Sequence, residues 1–122
     1  MLTGGPMPTF RAGDVVRVPF PYTDRDVRQH RPALIISDGP LGDDGRLLWV
    51  LMITSAEHRR WPADVDLGQR HRDLGLPVPS VVRCAKIATI ETSKASLIGR
   101  LPDERLAAVR AQIAGALNLT AA

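Results

Sequence analysis

Leu47-Leu48-Trp49-Val50-Leu51-Met52-Ile53, running into Thr54-Ser55, is the longest apolar stretch in the chain. An unbroken apolar run of strand length, preceded by the turn-rich Gly42-Asp43-Asp44-Gly45, reads as a central strand with Trp49 in the core. Working outward, Pro32 to Ser37 is a second apolar run, too short for a helix and β-branched enough for a buried strand. Asp14 to Phe20 is valine-rich and closed by prolines, and Ala63 to Leu67 alternates strictly, as a half-exposed strand does. Asp64 and Asp66 then fall on one solvated edge. Gly68 to Pro79 reads as loop, while Val81 to Ile90 and Ser96 to Leu101 return to strand character. Short strands at this spacing point to a small barrel or sandwich rather than to βαβ units. The end differs. Pro102-Asp103-Glu104 opens a helix, and Leu106, Val109, Ile113 and Leu117 fall on one face of it. The expected fold is mainly β with a C-terminal helix.

At 122 residues, 44% hydrophobic and 24% charged, the chain has the make-up of one globular domain. The expected division is a flexible arm over residues 1–12 and a domain over 13–122. No apolar run approaches the roughly 18 residues that cross a bilayer. Met1 to Thr9 lacks the basic and apolar regions of a secretory signal, so a cytoplasmic protein is expected. A single cysteine, Cys84, excludes an internal disulfide, and His30, His58 and His71 do not stand at metal-ligand spacing. No metal and no cofactor are therefore expected. Of the sixteen Lys+Arg residues only Lys86 and Lys94 are lysine. Arginine forks suit phosphate recognition, although a GC-rich genome produces the same bias.

Five pieces then fall in order over about a hundred residues: Gly13-Asp14-Val15-Val16 with Pro19-Phe20-Pro21-Tyr22-Thr23-Asp24; Arg31-Pro32-Ala33-Leu34-Ile35-Ile36-Ser37; Ile53-Thr54-Ser55; Ser80-Val81-Val82-Arg83-Cys84 continuing to Ile90-Glu91; and Gly99-Arg100-Leu101 before the helix. In that order they resemble the MazF/PemK family of toxin endoribonucleases from type II toxin–antitoxin systems. The resemblance implies an SH3-like small barrel of the plasmid-maintenance-toxin type, working as a homodimer. It also implies metal-independent, sequence-preferring cleavage of single-stranded RNA by 2′-hydroxyl attack, with a 2′,3′-cyclic phosphate and a 5′-hydroxyl as products. A cognate antitoxin would inhibit the toxin, and DNA would be reached only through that antitoxin. Two other readings stay open: a toxin of the same fold that poisons DNA gyrase, and a non-catalytic RNA- or protein-binding module.

Carried onto this chain, the resemblance assigns Arg31 to phosphate charge, Thr54 to a phosphate hydrogen bond, and Arg83 to charge stabilisation. A guanidinium holds its proton too firmly to shuttle it, so the general acid stays open, and Asp26 is expected either as the proton acceptor or as a residue that positions Arg31. Read without the family, Arg31 is better taken as a salt-bridge partner of Asp24 or Asp26, and Thr54 as a turn cap. RNA contacts are expected from Ser55, Arg28, His30, Arg59, Arg60 and Trp61, the last either a lid over RNA or a ring folded on the core. His30 adjoins Arg31 and on an extended backbone would point the other way. The chain also departs from the pattern. Ala85 stands two residues past Arg83, where many members place an aspartate, and Val27 and Gln29 replace a glutamine and a glycine ahead of the Arg31-Pro32 step.

Overall fold

The computed structural model describes residues 9–19 and 29–119. Six strands pair antiparallel in one sheet: β1 (Asp14–Pro19), β2 (His30–Ile35), β3 (Leu47–Ser55), β4 (Asp64–Asp66), β5 (Ser80–Glu91) and β6 (Ser96–Arg100). Their order across the sheet is β4-β5-β3-β2-β1-β6, and the helix α1 (Asp103–Ala116) follows. The fold is the mainly β one expected, with the C-terminal helix. Among the described residues β4 and β6 do not pair, so the hydrogen-bonded sheet is not closed.

Alternation along the strands divides the core in two. Leu51 and Ile53 of β3 join Val15, Leu34 and Val82 in a cluster completed by Leu106 and Val109 of α1. Leu48, Val50 and Met52 point the other way, into a cluster with Val16, Val18, Ala33, Ile35 and Phe10. A strand buried on both faces has no reason to alternate apolar with polar residues, which explains the unbroken run at its centre. Phe10 is only 3% exposed, so the described end of the N-terminal segment is packed. Pro32 lies opposite Arg17 on β1, whereas the β2–β3 register begins at Ala33. Proline thus occupies the part of the strand with one neighbour, where a missing amide donor costs least.

Two expectations are corrected. Trp49 is not core but 49% exposed. It lies on the face that α1 covers, but α1 packs over β4 and β5, and Trp49 stands at the opposite end of β3 beside exposed Leu47. Leu117, expected on the buried face of the helix, is exposed because the helix ends at Ala116.

β5 carries the main irregularity. Leu51 faces Ile87 but the next residue, Met52, faces Arg83, so Cys84, Ala85 and Lys86 have no partner on β3. Three extra residues are an odd number, and the strand therefore changes sides across the bulge. Val82 and Cys84 belong to the helix-side cluster, whereas Ala88 and Ile90 pack against the other. The bulge also buries the Cys84 thiol, which is pushed up from 9.0 to about 11, by burial first and the charge of Asp64 second. The folded chain holds this proton more tightly than the unfolded one. Cys84 thus contributes stability that is complete below pH 9.0 and lost as the pH rises to about 11. At about pH 8 the native thiol should react with iodoacetamide far more slowly than the urea-unfolded chain. Equal rates would contradict this burial.

Candidate functional site

The sheet brings distant residues into one row. Met52 of β3 faces Arg83 of β5, and Arg83 faces Asp64 of β4. On the other side of β3 the register ends with Ala33 opposite Met52, and Arg31 and Thr54 each lie two residues beyond that pair. All of these residues share the face of Met52. Here the sheet borders a cleft of about 320 Å³ whose lining includes Arg31, Thr54, His58, Arg59, Trp61, Arg83 and Lys86. Four of these are cations, and no described lining residue is acidic. A concave wall with one sign of charge concentrates anions.

Arg83 is the most buried of the four, at 8% exposure. Its Nε donates to Asp64 Oδ1 at 3.3 Å, and its Nη2 donates to Asp64 Oδ2 at 3.1 Å and to the Arg59 carbonyl at 2.8 Å. The Trp61 ring lies over the guanidinium, 4.3 Å from carbon to centroid. Trp61 is therefore neither buried core nor a detached lid. It caps Arg83 while remaining 37% exposed.

The connection from β3 to β4 is shaped by a tight turn. Asp64 N donates to the Trp61 carbonyl at 3.2 Å, with Pro62 second in the turn and Ala63 third at φ 72°. Proline followed by a positive φ is the arrangement of a type II turn, whose third position normally takes glycine or asparagine. Ala63 there stores on the order of 1–2 kcal/mol of strain. What the turn delivers is the Asp64 side chain, which is 0% exposed. This corrects the expected solvated edge. The strand alternates as anticipated, but Asp64 and Asp66 differ in what surrounds them. Asp66 is half-exposed, accepts from Arg60 at 2.9 Å and from the Gly68 amide at 2.8 Å, whereas Asp64 lies beneath Trp61 and Arg83.

Of the residues singled out in the sequence, Arg31, Thr54, Arg83, Arg59 and Trp61 line the cleft. Arg31 is exposed, and its Nη2 donates to Gln29 Oε1 at 3.3 Å. Ser55, Arg60 and His30 are not in the lining. The Ser55 hydroxyl accepts from the Glu57 amide at 3.2 Å, Arg60 is paired with Asp66, and His30 begins β2 opposite Pro19. Asp26 and Arg28 lie outside the described residues. Sequence reasoning missed Lys86, His58 as a lining residue, and Asp64. Lys86 reaches the cleft from the bulge, for which a single sequence carries no signal; the Trp61-Pro62 step was the available hint of a turn aimed at Asp64. Ala85 is exposed and carries no carboxylate; the one beside Arg83 is Asp64 of the neighbouring β4.

Residues 11–117 match the family model of PemK-like, MazF-like toxins of type II toxin–antitoxin systems. No curated protein matches the chain by sequence. In fold it is similar to the crystal structure of MazE–MazF (Form-II) from Deinococcus radiodurans, with TM-score 0.71, 23% identity, and 93% of this chain and 99% of that one covered. It is also similar to an endoribonuclease from Mycobacterial species in complex with its cognate antitoxin, with TM-score 0.67, 20% identity, and 92% and 98% covered. The Mycobacterium tuberculosis toxin MazF-mt6 gives TM-score 0.65 and 22% identity, with 88% and 99% covered. Among the described residues no helix is long and apolar enough to cross a membrane. With nearly the whole chain inside the family model and the strands in the same fold, this protein belongs to the PemK-like, MazF-like toxins of type II toxin–antitoxin systems.

Proposed function

We propose that this toxin is an endoribonuclease that cuts single-stranded RNA in the cytoplasm and arrests growth until a cognate antitoxin occupies it. The observation that carries the reading is that Arg31, Thr54 and Arg83, scattered along the chain, line one cationic cleft. In the proposed reaction the 2′-hydroxyl oxygen bonds to the adjacent phosphorus while the bond from phosphorus to the 5′-oxygen breaks. A cyclic phosphate and a 5′-hydroxyl result. The Arg31 guanidinium offsets charge gathering on the phosphorane, and the Thr54 hydroxyl donates to a non-bridging oxygen. Arg83 adds charge from the floor. Asp26, in the segment between β1 and β2, takes the 2′-hydroxyl proton, and a ring N–H of His58 gives its proton to the departing 5′-oxygen. Lys86 and Arg59 hold flanking phosphates, and a base stacks on Trp61. No step in this scheme calls for a divalent ion.

The working form is a homodimer, and the antitoxin alone brings the toxin to DNA. The reading is tested by incubating purified protein with a mixed RNA in EDTA and sequencing the ends. Products with 5′-hydroxyl ends, from single strands only, are expected. Intact RNA with gyrase trapped on DNA would replace the reading by a gyrase poison, and tight RNA binding without products by a binding module.

A further inference from the structure

We infer that Asp64 is the positioning residue of the cleft, a buried carboxylate that holds the Arg83 guanidinium and the Trp61 ring in one fixed arrangement. The inference rests on the cleft being the RNA-cleaving site proposed above.

A guanidinium on a flexible stem loses much of its value at a transition state if it must first be ordered, so a preorganised one needs partners on its far side. Asp64 meets that need on two fronts. Its two oxygens take Arg83 Nε and Nη2, a fork-to-fork contact that fixes the plane of the guanidinium. Oδ2 also accepts the Trp61 amide at 2.9 Å, which holds the loop carrying the ring that caps the same guanidinium. With the Arg59 carbonyl on Nη2 as well, Nη1 is the guanidinium nitrogen that has no hydrogen-bond partner among the described residues.

The backbone provides a second, independent observation. A residue with a side chain holds φ 72° at Ala63, directly before Asp64, and such a conformation persists only where its surroundings over-determine it. The fully covered Asp64 side chain and its bonds are those surroundings. Asp64 does not line the cleft, so it acts through Arg83 and not on RNA.

The test is a double-mutant cycle on the full chain, read as kcat for a single-stranded RNA and as Kd for the same RNA with a 2′-deoxy group at the cut. Asp64→Asn keeps an acceptor for the Trp61 amide but removes the charged fork. It should lower kcat roughly 10²-fold with Kd within about 3-fold, the signature of lost orientation. Added to Arg83→Ala it should change kcat no further. Unaltered kcat in Asp64→Asn, or an additional loss on top of Arg83→Ala, would overturn the inference while leaving the nuclease reading in place. A wild type that cuts no RNA would overturn both. If Asp64→Asn does not fold, NMR of the wild type decides. Distinct, slowly rotating Nη protons on Arg83 support the clamp, and averaged ones overturn it.

Discussion

Replacing Arg31 with alanine should lower RNA cleavage by roughly 10²–10³-fold while the protein remains folded. The two halves of this expectation come from different parts of the structure. Arg31 is in the β2 segment that lies outside both apolar clusters, and its side chain reaches the cleft from an exposed backbone position. Truncating it leaves both apolar clusters intact, and exposed changes of that kind stay within about 0.5 kcal/mol of the wild type. The chemistry is another matter. A guanidinium aimed from a rigid strand needs no reordering as charge develops on phosphorus, and that advantage disappears with the fork. Arg31→Lys should recover only part of the rate, since an ammonium keeps the charge but not the planar pair of donors. Initial rates on a fluorescent RNA, with thermal melts in parallel, measure both. Full activity in Arg31→Ala would remove Arg31 from the reaction.

Gly99→Ala should cost about 3 kcal/mol or prevent folding altogether. An added Cβ would lie 2.6 Å from the Leu74 carbonyl oxygen, 2.8 Å from its carbon and 2.9 Å from its Cα. All three are backbone atoms, so no side chain can turn aside. Nor can the segment retreat, because Leu67, Leu74 and Leu76 anchor it in the helix-side cluster and the Leu74 and Leu76 amides bind the His71 carbonyl. The facing glycine is equally confined. Gly75 has φ 74°, and a Cβ there would lie 2.6 Å from the Ile98 carbonyl oxygen. Two backbones thus cross with a glycine on each. Gly115 is the control: nothing among the described residues lies within 4 Å of its missing Cβ, and it sits inside α1. Gly115→Ala should stabilise by about 0.5–1 kcal/mol. Urea midpoints compare the three, and a wild-type midpoint for Gly99→Ala would disprove the crossing.

These cases also mark what a single sequence makes legible. The six strands and the helix were readable because each carries its own local signal, from the apolar run of β3 to the prolines and acids that open α1. Arg31 and Thr54 entered through the resemblance to the family, since their own surroundings in sequence fit a salt-bridge partner and a turn cap. The bulge was not. Nothing in Cys84-Ala85-Lys86 announces that the strand changes sides there, so Lys86 could not be placed in the cleft. Asp64 failed for a related reason. Strict alternation on a short strand signals one wet face, but the wetness of that face depends on Trp61 and Arg83 arriving from elsewhere in the chain. Trp49 erred in the opposite sense: its surroundings in sequence are all apolar, and only the limited reach of the helix leaves it exposed. Contacts that long-range topology creates are the ones local patterns omit.

Binding of an RNA that carries a 2′-deoxy group at the cut, and so cannot react, tests the cleft most directly. In a crystal structure of that complex the scissile phosphate should accept hydrogen bonds from the Arg31 guanidinium and the Thr54 hydroxyl, with Arg83 Nη1 turned toward it. A phosphate seated elsewhere, with Arg31 and Thr54 making no contact to RNA, would contradict the proposed chemistry.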